Sequence, residues 1–282
     1  MTVIPATLTD LAPHGFGRLR AWLTDVWVMT RRNLIHIRRE PMQLSDVTIQ
    51  PVLFTLLFLY LFGGALMMRG GGDYKQFLFA GLLTMNLTTS TVGTAIGLSM
   101  DMSTGVIDRL RTLPMSPTSI LVGRSFSDLM AACLCATMVV VTGFAAGWRA
   151  EHSFLSVLAG VGIGLLFSYA LSWMNACLGL AVSGAESAQG IVFIVVFPLA
   201  FVSNAFAPTQ GLPSWLRAIA TWNPVSAVTA AMRTLFGNPN PSANVQAWPM
   251  QHPIEASIAW SLVLLAVCVP LAGRLYRHRT RH

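Results

Sequence analysis

The sequence predicts an all-α integral membrane protein with six transmembrane helices, and three observations carry that reading. Only 10% of the 282 residues are charged and 54% are hydrophobic, where a soluble domain carries about 25% charged residues. The apolar residues gather in six runs, each long enough to cross a hydrocarbon core about 30 Å thick. The basic residues sit at the ends of those runs rather than along one soluble face, which is the pattern of membrane topology. The net charge of +7 therefore points away from nucleic acid, whose phosphates call for a continuous basic surface.

The six runs are 48–67, 77–98, 126–147, 154–183, 190–206 and 254–273. The fourth is long enough to tilt or kink. The fifth is short and contains Pro198, whose missing N–H should bend it. Thirteen of the 18 Lys and Arg residues fall before the first run, between the second and third, or after the sixth. Arg69, Lys75, Arg149, Arg217 and Arg233 lie on the other side. The excess places both termini in the cytoplasm of a multi-pass protein. Residues 1–20 read as a cytoplasmic tail, 21–273 as the transmembrane domain and 274–282 as a basic cytoplasmic tail.

Arg18, Arg20, Arg31 and Arg32 interrupt any candidate signal-peptide core near the N-terminus. Residues 21–39 form a basic amphipathic helix: Leu23, Val26, Trp27, Leu34 and Ile37 share a stripe, while Arg31, Arg32, Arg38 and Arg39 lie mostly off it. Trp22 adjoins the stripe. Such a helix lies in the plane of an anionic leaflet, unless the segment is only a basic flank that sets topology. Pro41 should end it.

Before the sixth run the chain is more organised than a loop requires. Pro213 suits a first helical turn, and Trp215, Ile219 and Trp222 recur on one face. Asn223-Pro224 restarts the chain, and Val225, Val228, Met232 and Leu235 make a second stripe ending at Gly237. Two short amphipathic helices should rest on the outer membrane surface or dip into it, with the indoles as interfacial anchors.

Several chemistries are absent from the pattern. The single lysine, Lys75, does not follow the glycines of a phosphate-binding loop. No catalytic triad, carboxylate pair or zinc-protease motif occurs, so the chain reads as non-enzymatic. His278 and His282 are four apart in the basic tail, where solvation is the better reading than metal binding. Cys133, Cys135, Cys177 and Cys268 lie in apolar runs and read as small hydrophobes buried among helices, without metal or disulfide spacing. Asp128 is the candidate for an ion-coupling carboxylate, against the alternative of an edge residue beside Arg124. Asn86, Thr89, Ser172 and Asn175 are polar within the spans. They serve either helix packing, as does the Gly160–Gly164 spacing, or a polar-tolerant substrate path.

Between the second and third runs stands GVIDRLRTLPMSPTSILVGR, Gly105 to Arg124. As a helix, Gly105 to Leu113 places Val106, Leu110 and Leu113 on one face, with Asp108, Arg109 and Arg111 elsewhere. Pro114 and Pro117 end it. A short amphipathic helix with charges of both signs and rigid exits suits docking into a partner's groove better than lipid binding.

This segment resembles the cytoplasmic signature of ABC-2 type transporter permeases, most closely their daunorubicin-resistance-like drug exporter branch. Arg31-Arg32-Asn-Leu, Arg38-Arg-Glu-Pro41, Ser203-Asn-Ala-Phe-Ala-Pro208 and Trp222-Asn-Pro-Val-Ser226 with Arg233 and Gly237 agree with the same family, in order along the chain. Many relatives carry a glutamate-rich version of the signature where this chain has Gly105-Val-Ile-Asp. The resemblance implies a six-span permease half in a bacterial cell membrane, in contact with lipid. It implies dimerisation with a second copy or a close relative. It also implies a separate ATPase partner that binds ATP and Mg, so that this chain needs no cofactor. Gly105 to Pro114 would be the coupling helix seated on that ATPase, and the helix of 21–39 would lie beside it. Pro213 to Arg233 would form an extracellular re-entrant pair. The cargo expected is a hydrophobic drug, polyketide or lipid-like compound, moved by alternating access or lateral extrusion. An ion-coupled secondary transporter using Asp128, an exporter of envelope glycolipid or polysaccharide, and a membrane scaffold or sensor are the competing readings.

Overall fold

A computed structural model of the protein describes residues 16–63, 73–105 and 117–279. Among these, every regular element is helical. The α-helices are α1 (Phe16–Arg39), α2 (Pro41–Val47), α3 (Ile49–Gly63), α4 (Tyr74–Thr89), α5 (Val92–Ser103) and α6 (Pro117–Ala145). They continue as α7 (Phe154–Ala181), α8 (Ala185–Phe201), α9 (Ser214–Trp222), α10 (Pro224–Phe236), α11 (Trp248–Gln251) and α12 (Pro253–Arg279). Among the described residues, four stretches are long and apolar enough to cross a membrane: Pro41–Gly63, Ser119–Ala145, Phe154–Ala181 and Pro253–Arg279. α8 is apolar but shorter.

The second apolar run departs from a single continuous span. It is broken at Ser90 and Thr91 into α4 and α5. No proline lies there. Instead Thr88, Thr89, Ser90 and Thr91 turn their hydroxyls back onto the chain, as in Thr91 Oγ1 donating to the Thr88 carbonyl at 2.7 Å. Short hydroxyl side chains compete with the helical ladder in this way. α7 secures the break from outside: Asn175 Nδ2 donates to Thr91 Oγ1 at 2.7 Å and Ser168 Oγ to the Leu87 carbonyl at 3.1 Å.

The other boundaries shift for local reasons. Pro41 ends α1 and starts α2 at its first turn, where a missing N–H costs nothing. Asp73 caps α4 and Ser153 caps α7 by accepting backbone N–H bonds. α8 starts after Gly184, whose φ of +91° belongs to glycine, and ends at Phe201 rather than reaching 206. The basic segment after residue 273 continues α12 as far as Arg279, with its cations at the favourable end of the helix dipole. Cys133 corrects the expectation of four buried thiols: it is exposed, while Cys135, Cys177 and Cys268 are buried, and all four are free.

α7 is the central post, packed by α12, α5, α10, α6 and α4. Its Gly160 and Gly164 receive α10: a Cβ at either position would run into Phe236 or Met232. The small-residue spacing thus serves a short inserted helix. Phe79 and Trp148 stack at 3.9 Å between ring centroids beside Phe236, and the Trp148 indole N–H is satisfied by Asn238 Oδ1 at 2.8 Å.

Candidate substrate cavity and its charged mouth

A cavity of about 580 Å³ opens among α1, α2, α3, α4, α5 and α6, with Gln189 of α8 also on its wall, a size typical of small-molecule sites. The α4–α5 break creates its inner wall, because Asn86, Thr89 and Ser90 face it there. Asn86 Nδ2 is held by the Leu82 carbonyl at 2.9 Å and lies 3.4 Å from Thr55 Oγ1. Thr89, also on the lining, donates to the Met85 carbonyl. Ser172 and Asn175 are not part of the cavity lining. Ser172 is buried and bonds the Tyr169 carbonyl of its own helix, while Asn175 bonds Thr91 across the helix contact.

Asp128 lies eleven residues after the first residue of α6 and lines the cavity. Its Oδ2 accepts from Thr94 Oγ1 of α5 at 2.8 Å. One turn nearer the helix start, Arg124 crosses to α5. Its Nη1 lies 3.1 Å from Asp101 Oδ2 and its Nη2 donates to the Gly93 carbonyl at 3.3 Å. Gly97 makes room for this crossing, since a Cβ there would overlap the guanidinium. Asp101 also pairs with Arg32 of α1 at 3.6 Å. One carboxylate thus joins the N-terminal helix, α5 and α6 at one end of the cavity.

α1 reaches that cluster through a tight crossing with α6. Met29 and Thr30 are buried, a Cβ at Gly123 would strike Met29, and Thr30 Oγ1 donates to the Gly123 carbonyl at 3.1 Å. The face turned away from the bundle carries Leu23, Trp27 and Val28, all exposed. Trp22 is half-buried, and Arg31, Arg38 and Arg39 are exposed. At Gly105, φ of +68° lets the chain leave α5 in a left-handed turn. Val106, Asp108, Arg109, Leu110, Arg111, Leu113 and Pro114 lie outside the described residues.

At the opposite end of the bundle the inserted pair divides into unlike halves. α9 exposes Trp215, Ile219 and Trp222, and Pro213 precedes it in an extended conformation. α10 is buried along nearly its whole length. Asn223 caps it through Val225 N–H while its Nδ2 satisfies the Leu199 and Val202 carbonyls at the end of α8. Pro224 occupies the first turn and Gly237 the left-handed C-cap. Arg233 is fully buried. Its Nε donates to the Phe77 carbonyl at 3.0 Å and its Nη2 to the Asn204 and Ala205 carbonyls at 2.9 and 3.1 Å, with the guanidinium 3.7 Å from the Phe77 ring centroid.

Sequence reasoning placed no weight on Asp101 or Thr94. The available signal was Asp101 itself, an acidic residue within an apolar helix four positions before Gly105.

A bundle with four stretches long and apolar enough to cross a membrane, around a cavity with both polar and apolar walls, defines an integral membrane protein with a small-molecule-sized cavity. The family is settled by comparison: residues 24–236 match the ABC-2 type transporter model, and the chain belongs to that family. It is 33% identical to the daunorubicin resistance ABC transporter permease protein DrrB1 of Streptomyces coeruleorubidus, with 100% of both chains covered. It is 22% identical to the probable doxorubicin resistance ABC transporter permease protein DrrC of Mycobacterium tuberculosis, over 96% of this chain and 94% of the relative. A putative transport permease, ycf38, of Cyanophora paradoxa is 24% identical over 77% of this chain and 76% of its own length. Membership in this family implies an ABC ATPase partner.

Proposed function

We propose that this chain is the non-catalytic permease subunit of an ATP-driven exporter that moves a hydrophobic drug, polyketide or lipid-like compound out of a bacterial cell. The full-length similarity to drug-resistance permeases carries the reading. In it, six spans run 41–63, 74–103 with its break, 117–145, 154–181, 185–201 and 253–279, with both termini in the cytoplasm. A separate ATPase binds ATP and Mg and seats on residues 105–114. The exposed apolar faces of α3 (Leu53, Leu57, Leu61) and α8 (Phe193, Ile194, Phe197) meet lipid or a second permease copy.

The Asp101 cluster gives the ATPase stroke a route into the bundle. Asp101 stands four residues from Gly105 and holds both Arg32 and Arg124. A displacement of the 105–114 segment therefore acts on α1 and α6 together, at one end of the cavity. The test is affinity purification of the tagged protein from native membranes in mild detergent, beside the double variant Arg109→Glu/Leu110→Glu. A phosphate-loop ATPase recovered with the wild type and lost with the variant supports the reading. Recovery of no such ATPase with the wild type overturns it.

A further inference from the structure

The geometry points to the cavity as a binding site for an amphipathic monocation, with the cationic group on the Asp128 carboxylate and the apolar body between Phe54, Met85, Ile96 and Met100. Where this ligand is the cargo, the inference rests on the exporter reading and names its substrate class.

Three observations converge on it. Asp128 makes one hydrogen bond among the described residues, to Thr94, although an ionised carboxylate has about four acceptor positions. Its neighbour Arg124 is not within ion-pair distance of it and is committed to Asp101 and the Gly93 carbonyl. Among the described residues, the charged ones around the cavity are two arginines, Arg32 and Arg124, and three aspartates, Asp46, Asp101 and Asp128. Both arginines share Asp101, so an incoming anion would have to break an existing pair.

The walls supply the rest of the specificity. Phe54, Met85, Ile96 and Met100 line the space beside Asp128, and thioether side chains adapt to irregular apolar shapes. An ionisable side chain inside a membrane helix marks a functional site by default. Ionic attraction is strong in such a setting because little water screens it. A neutral ligand of the same shape would gain the apolar contacts alone. A ligand ammonium could come from a diffusible compound or from a lipid headgroup, and the two share this chemistry.

The test uses the full-length protein in lipid nanodiscs without ATP, and the isosteric ions tetraphenylphosphonium and tetraphenylborate as probes. The site takes up tetraphenylphosphonium saturably, while tetraphenylborate only partitions into lipid. Asp128→Asn weakens tetraphenylphosphonium binding about tenfold or more, and Asp128→Glu retains most of it. Ala131→Phe, which narrows the cavity one turn from Asp128 without changing charge, also weakens saturable binding. Competition by phosphatidylethanolamine in the nanodisc identifies a headgroup ammonium as the occupant; indifference to it identifies a diffusible cation. Equal binding of both ions, or wild-type affinity in Asp128→Asn, overturns the inference, and the comparison of the two ions decides even if a variant does not fold. Because no ATPase is needed, cation binding without ATPase recovery removes the exporter reading and keeps the site. ATPase recovery without cation preference does the reverse.

Discussion

Two arginine sites at opposite ends of the bundle solve the same problem in different ways. At one end Arg233 is fully buried and bonds only to main-chain carbonyls, those of Phe77, Asn204 and Ala205. At the other, Arg32 and Arg124 share Asp101, with side chains 38%, 19% and 26% exposed. Backbone acceptors are fixed by the fold, so Arg233 locks α10 to the start of α4 and to the segment that follows α8. Its planar fork reaches three acceptors from two nitrogens, Nε and Nη2, held apart in a fixed geometry, whereas a lysine offers a single nitrogen. Side-chain pairs in partial contact with water exchange at little cost. The difference separates a permanent anchor from a contact that can be remade, and the cavity lies beside the second.

That contrast is broken most severely at Arg233. Arg233→Ala leaves three buried carbonyls without their donor, at a cost of about 3–5 kcal/mol. We expect loss of a monodisperse species in size-exclusion chromatography, with Arg233→Lys recovering part of it. Retention of the wild-type melting temperature by Arg233→Ala would show that the anchor is dispensable.

The next effect lies at the same end. A Cβ at Gly81 would collide with the Ala205 main chain, a neighbour that cannot rotate away. Gly81→Ala should destabilise by about 1–3 kcal/mol through overpacking, visible as a lowered thermal midpoint. Gly93→Ala, whose Cβ meets open space, is the control and should show a much smaller change.

Asp101→Asn sharpens the comparison from the other side. Asp101 and its two partners, Arg32 and Arg124, are all partly exposed, so stability should fall by no more than about 1 kcal/mol. Transport should nevertheless be lost while the partner's ATP hydrolysis persists, if Asp101 carries the stroke. Parallel ATPase and vesicle-transport assays check this, and normal transport by the variant removes Asp101 from the coupling route. The smallest effect is expected at Trp215, an exposed side chain on α9. Trp215→Ala should change protein stability by less than about 0.5 kcal/mol and should instead weaken the contact of α9 with lipid, measurable as reduced quenching of the remaining indoles by brominated lipid.

Much of this was legible in the sequence because the bilayer imposes it. Helices starting at 154 and near 254, the basic N-terminal helix, and the pair divided at Asn223-Pro224 all follow from runs of apolar residues and local capping chemistry, whereas the continuation of the last helix beyond 273 to Arg279 does not. The break in the second span was harder to see: hydroxyl residues within an apolar run also occur in straight helices, and only Asn175 and Ser168 from α7 complete its bonds. The same limit applies to the polar residues of the spans. Asn86 and Thr89 face the cavity while Ser172 and Asn175 do not, although all four read alike in a linear pattern.

The sequence by itself determined that the chain is helical, membrane-embedded and organised around basic ends, because hydrophobicity, proline, glycine and capping residues act over a few positions. Tertiary structure alone decided that α10 is buried while α9 is exposed, that Arg233 bonds to carbonyls 28 to 156 residues away, and that Asp101 joins Arg32 to Arg124. It also decided that Asp128 faces open space. These are relations between helices distant in sequence, fixed by which surfaces approach closely enough to exclude one another, and no local pattern encodes them.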